Sequence, residues 1–133
     1  MKTWQQKFDN GKLPQVKVID KPFGGFPAGT PMYISTPAEI DQFINQLKFG
    51  ESLSVAEMRD RLASSNNADF TCALTTGIFL RIVAERAYEQ YESGESTSIT
   101  PFWRVLEPSS KLAAKLTFDK QFIVDMRHLE EIA

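Results

Sequence analysis

The stretch at positions 75–91, TTGIFLRIVAERAYEQY, decides how this chain folds. At 100° per residue, Ile78, Phe79, Leu80, Ile82, Val83, Ala84 and Ala87 cover most of the circumference of a helix. Only Arg81, Glu85 and Glu89, spaced i, i+4, i+8, leave a narrow charged stripe. A helix that is apolar nearly all round belongs in a core, so other helices must be laid against it. Upstream, Thr36-Pro37-Ala38-Glu39 combines a capping box with proline at the first helical position. Ile40, Phe43, Ile44 and Leu47 then follow at i, i+3, i+4, i+7, and Phe49-Gly50 ends that helix. Ser54-Val55-Ala56-Glu57 is a second capping box, opening a helix with Val55, Met58 and Leu62 inward and a loop at Ser64-Ser65-Asn66-Asn67. Downstream, positions 92–96 close the central helix, Ile99 to Leu106 follows, and Glu107-Pro108-Ser109-Ser110 makes a turn. A final amphipathic helix is expected from about Asp119, with Phe122, Ile123, Met126 and Leu129 inward.

The N-terminal end differs in character. Residues 1–21 hold five lysines (Lys2, Lys7, Lys12, Lys17, Lys21) against Asp9 and Asp20. DKPFGGFPAGTP then reads as a loop around Gly24-Gly25, and Met32-Tyr33-Ile34 as a short strand. Residues 1–30 are therefore expected to form an extended arm, held down by Trp4, Phe8, Phe23 and Phe26. Residues 31–133 are expected to form a mainly α domain of four or five helices.

Composition narrows the function classes. At 133 residues and 42 % apolar, the chain has the makings of one packed core and no room for two. No apolar run approaches the ~20 residues that span a bilayer, mean hydropathy is −0.27, and MKTWQQKFDN lacks a secretory apolar segment. A cytoplasmic location is the expectation. One cysteine cannot form an internal disulfide, no Cys/His cluster has metal spacing, and neither Gly24-Gly25 nor Gly77 fits a phosphate or dinucleotide fingerprint. No metal and no cofactor are expected. A net charge of −2 and pI ≈ 5.4 argue against a strongly basic nucleic-acid binder.

Candidate chemistry is sparse. His128, the only histidine, reads as a surface residue near a helix C-terminus. Cys72 precedes the central helix, where a thiol is either a small buried apolar group or a nucleophile activated by the helix N-terminus. Glu130-Glu131 reads as a solvated helix face. The distinctive stretch is ITPFWRVL, Ile99 to Leu106. Phe102 and Trp103 either pack in the core, with Arg104 paired to a carboxylate, or line a cavity rimmed by a cation that receives an unstacked base.

GESLSVAEMRDRLA, a helix carrying Gly77, and TPFWRV together resemble the C-terminal domain of O6-alkylguanine-DNA alkyltransferases. In that family a G-E/K-V-x-[ST]-Y turn opens a helix-turn-helix, and Pro-Cys-His-Arg-Val follows the recognition helix. Gly50, Glu51 and Ser54 match the first motif; Pro101, Arg104 and Val105 match the second. Phe102 stands where the alkyl-accepting cysteine would be and Trp103 where its activating histidine would be, so the resemblance implies a fold kept without the repair reaction. It is similar in this to the non-catalytic alkyltransferase-like proteins, and CALTTGIF with ITPFWR resembles small bacterial proteins related to this domain. The implied fold is a helix-turn-helix or winged-helix-like domain, and the implied function is DNA binding that supports DNA repair. Carried across residue by residue, the nucleotide-rotating tyrosine falls on Val55 and the arginine finger on Leu74. Positions Asn66 to Ala73 exceed the three or four residues of an ordinary helix-turn-helix turn.

Charge bears on that implication. Residues 51–92 hold four arginines against seven carboxylates, a net of −3, the opposite of a phosphate-gripping surface. Arg81 pairs most simply with Glu85. Phosphate contact would then fall to Thr75, Thr76, helix N-terminal amides or the lysine-rich arm. Two expectations follow: a non-catalytic DNA-binding protein that takes an alkylated or unstacked base near Phe102, Trp103, Arg104, Leu74, Thr75 and Thr76, or a protein-interaction or small-ligand module that has lost DNA binding. A thiol enzyme using Cys72 is a distant third.

Overall fold

The computed structural model describes residues 1–96 and 98–133. In chain order the elements are α1 (Trp4–Phe8), β1 (Gln15–Val18), β2 (Pro31–Ile34), α2 (Pro37–Asn45), α3 (Val55–Ser65), β3 (Phe70–Thr71), α4 (Ala73–Glu92) and α5 (Gln121–Leu129). Single 3-10 turns lie at Phe102–Arg104 and Ala113–Lys115. Helix accounts for 45 % of the chain against one small three-stranded sheet, so the domain is mainly α.

The helix starts follow from local chemistry. Ser54 and Glu57 form the reciprocal capping box of α3, hydroxyl to the Glu57 amide and carboxylate to the Ser54 amide. Hydrogen bonding from the Ser54 backbone and then its side chain holds the Glu57 carboxyl below its ordinary value. At α2 only half of the expected box forms. Thr36 accepts from the Glu39 amide, but the Glu39 carboxylate turns to the Tyr33 hydroxyl and ties β2 to α2. Burial and that carboxylate both push the Tyr33 phenol up. α2 also stops at Asn45, before the Phe49-Gly50 signal, so Leu47 enters the core from a non-helical segment.

α4 is the axis of the core, and it begins at Ala73, two residues before the expected start. Leu80, Val83, Ala84 and Ala87 are fully buried against Ile40, Ile44, Phe102 and Leu106. Two positions depart from the all-round apolar helix. Ile78 is 50 % exposed, whereas Glu85, assigned to the charged stripe, is buried. The Glu85 carboxylate is held inside by the Thr117 amide at 2.8 Å and the Thr117 hydroxyl at 2.6 Å. A buried carboxylate needs such donors, and Thr117 lies in a segment whose approach to α4 no local pattern announces. On α5, Ile123 is buried as expected, but Leu129 is 65 % exposed.

The N-terminal residues are more structured than an extended arm. Thr3 and Gln6 cap α1 reciprocally, and α1 lies on α4, with Gln5 accepting from Arg86 Nε at 2.7 Å. β1 pairs antiparallel with β2, and β2 pairs parallel with β3. Phe26 stacks on Phe70 at 4.1 Å between ring centroids, whereas Phe23 is 45 % exposed. Phe102→Ala is expected to lower stability by about 3–5 kcal/mol, because a fully buried ring leaves an unfilled cavity beside α4. Urea unfolding followed by circular dichroism reads the change.

Candidate functional site

The segment at 99–106 is inward-facing, and its geometry corrects the open aromatic cavity expected there. Phe102 has no exposure and Trp103 only 4 %. Phe102 lies edge-on to Trp103 at 5.4 Å between centroids and is flanked by Phe118 and Phe122. A ring enclosed by other rings offers no face to a ligand. Arg104 is held as tightly. Its Nε and Nη2 donate to Glu130 at 2.8 and 3.0 Å, and Nη1 donates to the Leu47 carbonyl at 2.7 Å.

Glu130, read from sequence as part of a solvated face, is the centre of this cluster. It is 5 % exposed and accepts from Trp103 Nε1 at 2.7 Å and the Gly50 amide at 2.8 Å, besides Arg104. Burial alone would raise its carboxyl; the hydrogen bonds from Arg104, Gly50 and Trp103, with the guanidinium charge, outweigh that and hold it below the ordinary value. Arg127, also buried, donates to the Trp103 carbonyl at 2.6 Å and the Ala133 carbonyl at 2.8 Å. The sequence signal for Glu130 was the unpaired Arg104, which required a carboxylate without saying which. Positions 101–105 are a structural joint.

The other expected residues divide. Thr76 is fully buried and its hydroxyl donates to the Cys72 carbonyl at 2.7 Å, a back-bond within the helix. Thr75 donates to the same carbonyl at 3.4 Å. Cys72 is 5 % exposed and packs with Ile19 and Met32. His128 is exposed, near the end of α5. Leu74 points outward and is 67 % exposed.

Leu74 opens onto a hollow of about 520 Å³ along the first three turns of α4, larger than the one of about 340 Å³ beneath Tyr88. Its floor is Leu74, Gly77, Ile78 and Ile82 of α4. Trp4 of α1 and Leu112 also line it. Lys7, Arg81, Lys111 and Lys115 supply four cationic side chains, and no carboxylate lines it. Among the described residues, none of the three lysines lies within ion-pair distance of a carboxylate. Arg81 Nε stands 3.6 Å from Glu85 and makes no hydrogen bond. The Lys7 ammonium and the Arg81 guanidinium sit over the Trp4 ring, at 4.3 and 5.3 Å from its centroid. Sequence reasoning found Leu74 but missed this grouping; the available signal was the spacing of Lys111 and Lys115, four apart in KLAAK.

Gly77 lies in the floor, and a Cβ built on it would meet nothing within 4 Å. Its backbone is ordinary helix, so neither packing nor backbone conformation demands glycine there. The missing side chain keeps the floor low.

Comparison with models of known protein families, with characterised proteins and with solved structures finds no match to this chain. Among the described residues no group of three or more His, Cys, Asp or Glu could hold a metal ion, and no helix is long and apolar enough to cross a membrane.

Two outcomes test this division between joint and groove. Glu130→Gln is expected to cost roughly 3 kcal/mol at pH 7, since it strips a buried guanidinium of its counter-charge. The folded pKa of Glu130 is lowered, so its contribution is full above the ordinary value of 4.5 and is lost as pH falls through the folded value. The gap between wild type and variant should therefore narrow in urea titrations repeated near pH 3. Gly77→Ala should stabilise the fold by about 0.5–1 kcal/mol, read as a rise in Tm, because a mid-helix glycine is replaced at no steric cost.

Proposed function

We propose that this is a non-catalytic DNA-binding protein that holds a strand carrying an alkylated or unstacked base in the groove at the start of α4. One observation carries the proposal: four cationic side chains surround an apolar floor with no carboxylate in the lining, on a protein whose net charge is −2. Cations placed together against the overall charge suit a polyanion. Lys7, one of the five N-terminal lysines, lies on this face, and Leu74 presents an apolar side chain of the kind that enters a base stack. The helix-turn-helix or winged-helix-like likeness to the alkyltransferase domain belongs to this proposal, with α3 and α4 as its helix pair and β3 in the connection. The non-catalytic part rests on Phe102, which has no nucleophilic atom at the position matched to the acceptor cysteine, and on the burial of Cys72.

A second reading, a protein-interaction or small-ligand module, is favoured by the exposed Leu74 and Ile78 and by the net −3 of residues 51–92. Fluorescence anisotropy with single-stranded and duplex oligonucleotides, plain and O6-alkylguanine-containing, at 50 and 200 mM salt separates the two. DNA binding through the groove predicts affinity that falls with salt. Lys111→Glu/Lys115→Glu should lower the salt slope by about two for a two-phosphate loss. No salt-dependent binding to any oligonucleotide would sink the proposal and leave the second reading standing.

A further inference from the structure

Resting on the reading just proposed, we infer that the groove takes single-stranded DNA in preference to duplex, with a base stacked on Trp4. The first reason is the shape around α4. A helix that reads duplex DNA enters a major groove roughly 12 Å wide, and a helix with its side chains is itself about 10–12 Å across. Such a helix must stand free on both flanks. The first three turns of α4 do not: they share one hollow with Trp4 and Lys7 of α1 and with Lys111, Leu112 and Lys115. A helix so accompanied does not seat freely in a duplex groove, whereas a single strand with unstacked bases can lie along the hollow.

The second reason is the chemistry of the lining. Besides Trp4, it consists of aliphatic side chains, Gly77 and four cations, with no hydroxyl, amide or carboxylate side chain. Cations suit phosphates, and apolar surface with one indole suits base faces; among the described residues of the lining no amide or carboxylate is present to read base edges, and Arg81 is turned to Glu85 and Trp4. That combination is what sequence-tolerant single-strand binding requires. Among the described residues it also lacks a side-chain acceptor for the proton of a 2′-hydroxyl, the group by which RNA is told from DNA.

The third reason is energetic. The Trp4 ring carries the half-buried Lys7 ammonium and the Arg81 guanidinium, cation–π contacts worth about 0.5–2 kcal/mol each. A base stacked on an aromatic side chain is worth about 1–3 kcal/mol. A base that takes the ammonium's place on the ring keeps a contact of similar worth and frees the ammonium for the adjoining phosphate. Gly77 sits in the floor where backbone and ligand come closest, which accounts for a glycine that the packing does not require.

The chain has two tryptophans, and the second is buried and hydrogen-bonded to Glu130, so it serves as an internal reference. The experiment titrates the full chain with a twelve-residue oligothymidine, a mixed-sequence strand of equal length, its duplex, the matching oligouridine and an acidic amphipathic peptide. Tryptophan emission and anisotropy are followed at 50 and 200 mM salt. Both DNA strands should quench emission with similar affinity, more tightly than the duplex and the oligouridine. Engagement of the three lysines, with Arg81 paired to Glu85, implies a salt slope near −2.1, or about a 20-fold loss over this fourfold salt range. Trp4→Phe should abolish the quench while leaving the Trp103 signal. Gly77→Leu, which fills the floor without removing a cation or the indole, should weaken binding about tenfold in a protein that still unfolds cooperatively.

Equal binding of strand and duplex without a Trp4-dependent quench would overturn this inference and leave the DNA-binding proposal intact, as would wild-type binding by Gly77→Leu. Preference for oligouridine would overturn it in favour of RNA. Binding of the peptide with no oligonucleotide bound would overturn both.

Discussion

Much of the structure depends on the carboxylate of Glu130. A charged group this far out of water costs several kcal/mol unless donors replace the solvent, and here the Trp103 indole, the Arg104 guanidinium and the Gly50 amide do so. These partners come from two separated parts of the chain, the loop after α2 and the 3-10 turn at 102–104, and meet Glu130 at the C-cap of α5. One side chain near the C-terminus thereby fixes the turn that presses Phe102 onto α4. Arg127 adds a second tie by taking the carbonyl of Trp103. The geometry is specific, since guanidinium and carboxylate meet through two parallel hydrogen bonds.

That joint also determines where chemistry cannot be. The residues that give the sequence its likeness to an alkyltransferase reaction centre, Pro101 to Val105, are occupied in holding the fold. Phe102 and Trp103 are enclosed by aromatic neighbours, and three nitrogens of Arg104 are hydrogen-bonded. The surface with unspent binding capacity lies elsewhere on α4. One side of that helix carries the core through Leu80, Val83, Ala84 and Ala87, while its first three turns present Leu74, Gly77 and Ile78 to a trough lined with cations. The N-terminal residues complete that trough, because α1 docks on α4 through Gln5 and Arg86 and carries Trp4 and Lys7 with it.

Legibility tracked the range of the interactions. The capping residues Thr36 and Ser54 marked α2 and α3 because a cap is a contact between neighbours three apart. The apolar spacing of 78–87 marked α4 as central because periodicity decides which positions share a face. Glu85 was misread for the complementary reason: its partner Thr117 is 32 residues away, and no local pattern tells a charged stripe in water from a carboxylate met by distant donors. Glu39 leaves its own helix cap for Tyr33 on the same grounds, a tertiary partner outcompeting a local one. At the candidate site, Leu74 could be picked out from a position matched to a family motif. Lys7, Lys111, Lys115 and Trp4 could not, since they reach it from opposite ends of the chain.

By itself, the sequence determined that the chain is mainly helical, where two of its helices begin, and that positions 75–91 run through the core. Each is a property of residues close together in the chain. Tertiary structure alone decided that Trp103 and Arg104 are spent on Glu130, that Thr76 is consumed by its own helix, and that cations more than 100 residues apart share one hollow. The reason is physical: burial and charge proximity depend on three-dimensional distance, and composition sums charges that folding then segregates. A net charge of −2 thus coexists with a carboxylate-free cationic groove.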